Sequence, residues 1–536
     1  MALFICDKHS YNIVMNTNNK KLVHHRKANG TTYVYEVVEN HWDKEKKQPR
    51  SKQVCIGKLD PGTGDLIPSK RLGEHALPAM DPAITAKTSI SGPALLLKKV
   101  DRDLGLSRQL KKACPEHWQE IVSLAWYILS TSSALSHAEV WCQNHEVPSD
   151  KRLSSQRISD LLDAINEDER QTFFELWGKS IANRDYLCYD ITSVSSYSEQ
   201  NEYVRWGYNR DGERLPQINL GMVYGQQSML PVTYRQLPGS INDVKTLDNL
   251  LDQLDKLSFS KLHLVMDRGF YSKVNADMLA DRGHNFTIGV PTHLKWVRDI
   301  LDADRDLIDG PAGYHEHKGK VVYAHTRLLS WGESKRRCYL QLYFDPDRMA
   351  RDRVEFDQEL ALYHQELTQN RRIPEHEESY KRFFTWKQTP KRGLQVAFNW
   401  DAVSAARKQY VGFSAILTTK FKDPLVALDI YREKDVVEKC FDDLKNDLDL
   451  NRLRVHQSSR MNGRLFIQFI ALIFLSAIRQ TMKTKLPGSR YSVQSLLWEL
   501  ESLTTIHYSG KYKNKRSEMT KAQRTILEAF DVSDVP

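Results

Sequence analysis

Cysteine is scarce and scattered in this 536-residue chain: seven residues, at positions 6, 55, 114, 142, 188, 338 and 440, with no C-x2-C spacing among them. That excludes a zinc ribbon, gives no sign of a disulfide framework, and fits a reducing compartment. Long hydrophobic runs are missing too. The most apolar segment, Leu465–Ile478 (LFIQFIALIFLSAI), stops short of a bilayer crossing and reads as a core helix. The opening MALFICDKHS is too short an apolar stretch for a signal peptide. There is no low-complexity tract, and no Ser-His-Asp or Cys-His constellation to supply a protein nucleophile. The expectation from these absences is a soluble, cytoplasmic, globular protein.

Charge is present in quantity and only mildly unbalanced. Lysine and arginine total 77 against 68 acids, a net charge of +9. The excess permits an anionic partner such as DNA without requiring one. Basic runs such as KEKKQPRSK at 44–52 and KYKNKR at 511–516 fit either a nucleic-acid contact or solvated surface. A chain of this length exceeds one simple core, so two to four folding units are expected.

Taken in order, residues 1–30 are polar and read as flexible. Strand patterns at Thr32–Val38 and Gln53–Ile56, with the polar HWDKEKKQPRSK as a hairpin tip and a Pro/Gly turn cluster at Leu59–Ser69, make 1–80 a small β-rich module that suits DNA contact or plain exposed turns. Helical periodicity then marks 92–180 as a helical domain. From 181 to 291 the order is strand, strand, strand, helix, strand, helix, strand, which fits a mixed sheet flanked by helices. Residues 292–425 read as an inserted, largely β subdomain. The stretch 426–480 carries one helix from Tyr431 to about Leu448, a basic loop at Arg452–Arg464 that includes His456, and the hydrophobic helix; 481–536 is a C-terminal tail with a short helix at Val493–Leu503 and a basic, mobile segment at 509–524.

Three acids stand out within this pattern. The run Leu262–Met266 ends on Asp267 before Arg268, Gly269 and Phe270 turn the chain, which fits a buried strand presenting a carboxylate where it leaves the sheet. Asp190 stands at the end of the strand from Tyr186 to Tyr189, and the two acids would lie side by side if their strands are neighbours. In YREKDVVEKCFDDLKNDLDL, Tyr431, Lys434, Glu438 and Lys445 line one side of a helix, a spacing that an ordinary charged surface stripe also satisfies.

On these residues the chain resembles the DDE transposases of bacterial insertion sequences, in the group whose third acid lies in a Y-x2-R-x3-E-x6-K signature. Tyr431, Glu438 and Lys445 match the signature, while Lys434 stands at the arginine position, keeping the charge but losing the planar fork. Asp190 with Thr192 and Ser193, and the string Asp267-Arg268-Gly269-Phe270-Tyr271, resemble the first and second acid contexts of such enzymes. The N-terminal YVYE…WDKEKKQPR…IGKLDPGTG also resembles the opening of one branch.

The resemblance implies an α/β, ribonuclease-H-like catalytic domain with a mostly β insertion, and the acids Asp190, Asp267 and Glu438 as catalytic residues and metal ligands. Three hard oxygen donors suit two Mg²⁺ or Mn²⁺ ions, with Asp190 bridging them. It implies partners in double-stranded DNA carrying element-end inverted repeats and in target DNA, a homodimer or larger assembly in the DNA complex, and a bacterial protein bound to the nucleoid when on DNA. Tyr431, Lys445 and Lys434 would contact phosphates. Arg268 would reach a phosphate or form a salt bridge. Trp206, in the aromatic-basic string YVRWGYNR, would stack on an extruded base or serve as a packing tryptophan. His263 reads as a buried structural histidine. Two other readings stay open: a metal-dependent nuclease of the same fold without strand transfer, and a catalytically silent DNA-binding derivative.

Overall fold

The computed structural model describes every residue except 1–12, 16–20, 44–45, 70–85, 182–184, 199–200, 258, 260, 333–334, 391–392, 409–410, 454, 456, 509–512 and 533–536, so His456 lies outside the described residues. The chain divides into two units, Met1–Lys87 with Tyr508–Lys513 and Thr88–His507 with Asn514–Pro536.

The first unit is built on a five-stranded antiparallel sheet of β1 (Ile13–Met15), β2 (Lys21–Arg26), β3 (Thr32–Asp43), β4 (Gln48–Leu59) and β5 (Leu66–Pro68), in that order. Two strands therefore lie in the opening thirty residues, where polarity alone suggested a flexible stretch. Pairing of β2 with β3 from Arg26↔Thr32 to Leu22↔Glu36 satisfies their backbone groups and buries Val23 and Val34. The expected hairpin tip is mostly strand as well, with β3 and β4 paired as far as Asp43↔Gln48.

The chain enters the second unit within β6 (Ala86–Ile90), which leads into α1 (Gly92–Leu104), α2 (Leu106–Ala113), α3 (Trp118–Thr131), α4 (Ala138–Asn144), α5 (Ser155–Ala164) and α6 (Glu167–Ile181). Then come β7 (Tyr186–Ser196), β8 (Gln217–Gly225), β9 (Pro231–Pro238), α7 (Asp243–Lys256), β10 (His263–Met266), α8 (Lys273–Asp281) and β11 (Asn285–Val290), the order that the sequence pattern predicts. The following stretch holds α9 (Lys295–Ile308), β12 (Tyr314–His317), β13 (Lys320–Trp331), β14 (Arg336–Phe344), α10 (Pro346–Thr368), α11 (Glu377–Phe383), β15 (Phe384–Thr389), β16 (Gly393–Phe398), α12 (Trp400–Lys408) and β17 (Phe413–Thr418). It is mixed rather than largely β, and β12, β13, β14 and β17 extend the main sheet. That sheet runs β12-β13-β14-β17-β11-β10-β7-β8-β9. Among the described strands of this stretch only the β15–β16 hairpin stands apart, packed with α10 to α12 around a small core that includes Leu360, Tyr380, Phe383 and Val403.

The chain then forms α13 (Pro424–Arg432), α14 (Asp435–Asp442), β18 (Arg452–Leu453), α15 (Ser458–Lys485), α16 (Val493–Leu500) and, near the C-terminus, α17 (Lys521–Ala529). Helix α15 is twice the length of the apolar run inside it. At 28 residues it is long and apolar enough to cross a membrane, yet 89% of its apolar window is buried within the protein. Trp126 of α3 meets Phe474 edge-on at 6.3 Å, and Phe173 and Phe174 of α6 do the same with Phe466. Each such ring contributes roughly 1.5–3 kcal/mol by leaving water. Gly463 lets α15 approach the Leu162 carbonyl of α5 so closely that a Cβ would collide with it. Within the C-terminal stretch α16 and α17 are packed rather than loose: Leu496, Leu497, Ile526, Leu527 and Phe530 are buried in the same core.

Candidate active site

Two features of β7 prepare the site. The strand runs past Asp190 to Ser196 because β8 pairs with it from Leu187↔Gly225 to Ser195↔Gln217, and because Ile191 and Val194 are buried. Asp190 therefore lies in mid-strand, a correction to the expected strand end. The other edge of β7 is shared. Parallel β10 covers it from His263↔Tyr186 to Met266↔Tyr189, and parallel β18 covers Ser195 and Ser196. Asp190 falls where β10 leaves, and the next residue of that chain is Asp267. The expectation that the two acids stand side by side holds.

The third acid arrives on a broken helix. The single helix expected from Tyr431 to about Leu448 is three pieces: α13 ends at Arg432, Lys434 caps α14, and Asp443–Asp447 forms a π-helical turn. The wider turn rotates Lys445 away from the direction that a regular helix would give it relative to Glu438, and such turns recur at functional sites. Val437, Cys440, Phe441 and Leu444 are buried and anchor this segment against the sheet. Asp190, Asp267, Glu438 and Lys445 line one cleft of about 330 Å³, together with Thr192, Arg210, Asp211, Asp243 and Asp442.

The remaining signature residues make contacts within the protein. The Tyr431 hydroxyl donates to Asp267 Oδ1 at 2.6 Å. Lys434 Nζ stands 3.0 Å from Glu438 Oε1 and 4.0 Å from Asp267 Oδ1, an ammonium lodged between two of the three acids. Lys445 is buried, and its Nζ donates to Asp211 Oδ1 and Oδ2 at 2.7 and 2.6 Å. Arg210 pairs with Asp243 across the cleft wall at 2.5 Å. Arg268 is exposed and forms no ion pair among the described residues. With Lys320, Arg348, Arg351 and Arg432 it lines a larger groove of about 990 Å³ that shares Asp267 with the cleft.

Burial pushes the Asp190 carboxyl up to about 6; the Ile191 amide and the charges of Arg210 and Lys434 oppose the rise, while Asp267 adds to it. Burial would raise Asp267 too, but the Tyr431 hydroxyl and the Lys434 charge outweigh it and hold this carboxyl below its ordinary value. Lys434 is itself raised, its desolvation being outweighed by Asp267, Glu438 and Asp190. Burial also drives His263 down to about 3, so it is a neutral structural group, hydrogen-bonded to Thr287 Oγ1 at 2.9 Å.

For metal binding the donor chemistry fits hard divalent ions. The arrangement is less complete: among the described residues no three His, Cys, Asp or Glu side chains are grouped closely enough to hold an ion. Glu438 is turned onto Lys434.

Trp206 is 68% exposed, which speaks against the packing reading. Its loop backbone is nevertheless held, because Arg205 and Gln217 exchange both backbone hydrogen bonds and Gly207 sits against the Gly239 carbonyl. Arg210, Asp211, Asp243 and Asp442 were not anticipated as parts of the site. Three lie in a loop or at a helix start, where no periodicity marks them; only the charged string NRDGE hinted at the first two.

Residues 182–474, just over half of the chain, match the family model described as a transposase DDE domain. No curated protein matches the chain. A cryo-electron-microscopy structure of piggyBac transposase in a synaptic complex with hairpin DNA is similar at 10% identity over 76% of this chain and 79% of that one, with a TM-score of 0.38. That likeness is too distant to bear on the site.

Proposed function

The chain belongs to the transposase DDE domain family, and on that premise we propose that it is an insertion-sequence transposase of bacterial type, with a ribonuclease-H-like catalytic domain and a D-D-E triad of Asp190, Asp267 and Glu438. The observation that carries the reading is the convergence of these three acids, from β7, the end of β10 and α14, on one polar cleft. The rival of a catalytically silent derivative is disfavoured by a cleft that keeps all three carboxylates.

In this reading the protein binds the inverted repeats at the element ends, hydrolyses a phosphodiester there, and joins the freed 3′-hydroxyl to target DNA. Asp190, Asp267 and Glu438 would hold Mg²⁺ or Mn²⁺, which when bound supplies Lewis acidity and a deprotonated attacking oxygen. Lys434 would leave Glu438 for that purpose and turn to a phosphate, a role that lysine fills as a point charge. Tyr431 holds Asp267 ionised and oriented. Lys445 keeps the loop of Asp211 closed on the cleft, and Arg268 and Trp206 stay free for a phosphate and an unstacked base. Two DNA ends processed together call for a dimer or larger assembly on DNA.

The test is Mg²⁺-dependent cleavage and joining of duplex DNA carrying the element end, comparing wild type with Glu438→Gln. Loss of both steps with binding retained is expected. Cleavage without joining in the wild type would favour the nuclease, and cleavage surviving the substitution would remove Glu438 from the triad.

A further inference from the structure

In the first unit, β3 and β4 outrun the rest of their sheet. β2 accompanies β3 only as far as Glu36, and β5 accompanies β4 only over Gly57–Leu59. A register shift between Val37 and Glu39 marks a bulge, which sharpens twist where the two strands leave the sheet. Beyond it, five cross-strand pairs, Glu39↔Lys52 to Asp43↔Gln48, form a two-stranded ribbon about 17 Å long at ~3.4 Å per residue, with no third strand paired to it among the described residues.

The ribbon has no core of its own. Trp42 is 60% exposed, and Val38 at the bulge is 60% exposed, with no cover among the described residues. Its turn is nonetheless held, with the Lys46 amide donating to Asp43 Oδ1 at 3.1 Å and Arg50 Nε 3.2 Å from Asp43 Oδ2. Because directly opposed residues share a face, Glu39, His41, Asp43, Gln48, Arg50 and Lys52 project from one side, where Arg50 pairs with Asp43 and must leave it to reach a base, while Asn40, Trp42, Pro49 and Ser51 project from the other. Lys46 and Lys47 stand at the turn.

We infer that this ribbon enters the major groove of duplex DNA. A two-stranded ribbon fits a groove ~12 Å wide, and arginine, lysine and glutamine are the side chains that read guanine and adenine edges there. Lys46 and Lys47 would meet phosphates at the groove wall. The chemistry disfavours strand addition by a second protein: Pro49 and the four cations Lys46, Lys47, Arg50 and Lys52 are features that keep a free edge from pairing. The inference rests on the DNA-acting reading above and adds a recognition element separate from the acids.

The experiment measures binding of the full chain to a mixed-sequence 30-base-pair duplex across a salt series, for wild type, Lys46→Gln/Lys47→Gln and Arg50→Gln/Lys52→Gln. The first variant should lower the slope of log affinity against log salt by about 2, near 0.9 for each phosphate no longer neutralised. Methylation of guanine N7, which lies in the major groove, should weaken wild type and leave the Arg50→Gln/Lys52→Gln variant insensitive. Equal slopes and no effect of N7 methylation would overturn the ribbon's role while leaving the catalytic reading intact. A changed oligomeric mass with unchanged DNA binding would overturn it in favour of pairing between copies. A wild type that binds no duplex would overturn both.

Discussion

Asp190→Asn should stabilise the metal-free protein, and only above a defined pH. In the folded chain the carboxyl rises from 3.8 to about 6, chiefly because it is buried beside a second acid. The folded state thus holds the Asp190 proton more tightly than the unfolded chain does. Wild-type stability without divalent ions should therefore fall as pH rises from about 4 to about 6 and then level off. The rise is equivalent to about 3 kcal/mol as a ceiling. Replacing the carboxylate by an amide removes that term while nearly preserving shape. The difference in stability between variant and wild type should grow from near zero at pH 4 toward that ceiling at pH 7. Chemical denaturation in EDTA over pH 4–8 measures it. Adding Mg²⁺ should reverse the order, since the ion stabilises only the protein that retains the carboxylate, and more strongly as the competing proton leaves. A stability difference independent of pH would refute the buried-charge reasoning. Equal stabilisation of both proteins by Mg²⁺ would remove Asp190 from the ligand set.

Tyr431→Phe keeps the ring but removes the 2.6 Å hydrogen bond to Asp267, a charge-assisted bond worth about 1.5–3 kcal/mol. Asp267 should then titrate higher, so the acid limb of the cleavage–pH profile should move to higher pH; an unmoved limb would show that Tyr431 does not tune this acid. Gly289→Ala should imitate that change, because a Cβ there would collide with the Tyr431 hydroxyl. Trp206→Ala should leave the melting temperature unchanged, as the ring is exposed, but should weaken binding to DNA with an unpaired base by about 1–3 kcal/mol. A melting temperature lowered by several degrees would make it a packing residue after all.

The local patterns carried much of this protein. Alternation and apolar runs marked β7 to β11 and the intervening helices in their order, since each element buries one periodic face. Asp267 was legible as a strand-end acid because the run Leu262–Met266 stops at a turn. The sequence itself singled out the three carboxylates proposed as the triad, by their neighbours in the chain. It did not determine how far β7 runs, because polar ITSVSS stays extended only through its pairing with β8. Nor did it reveal the break at Glu433–Lys434 or the π turn, which come from packing α13 and α14 against a shared sheet rather than from any helix-breaking residue. The pairing of Lys445 with Asp211 and the lodging of Lys434 between Asp267 and Glu438 join residues far apart in the chain. Such contacts have no local signature; only tertiary structure decided them, because it alone sets which charges face one another out of water.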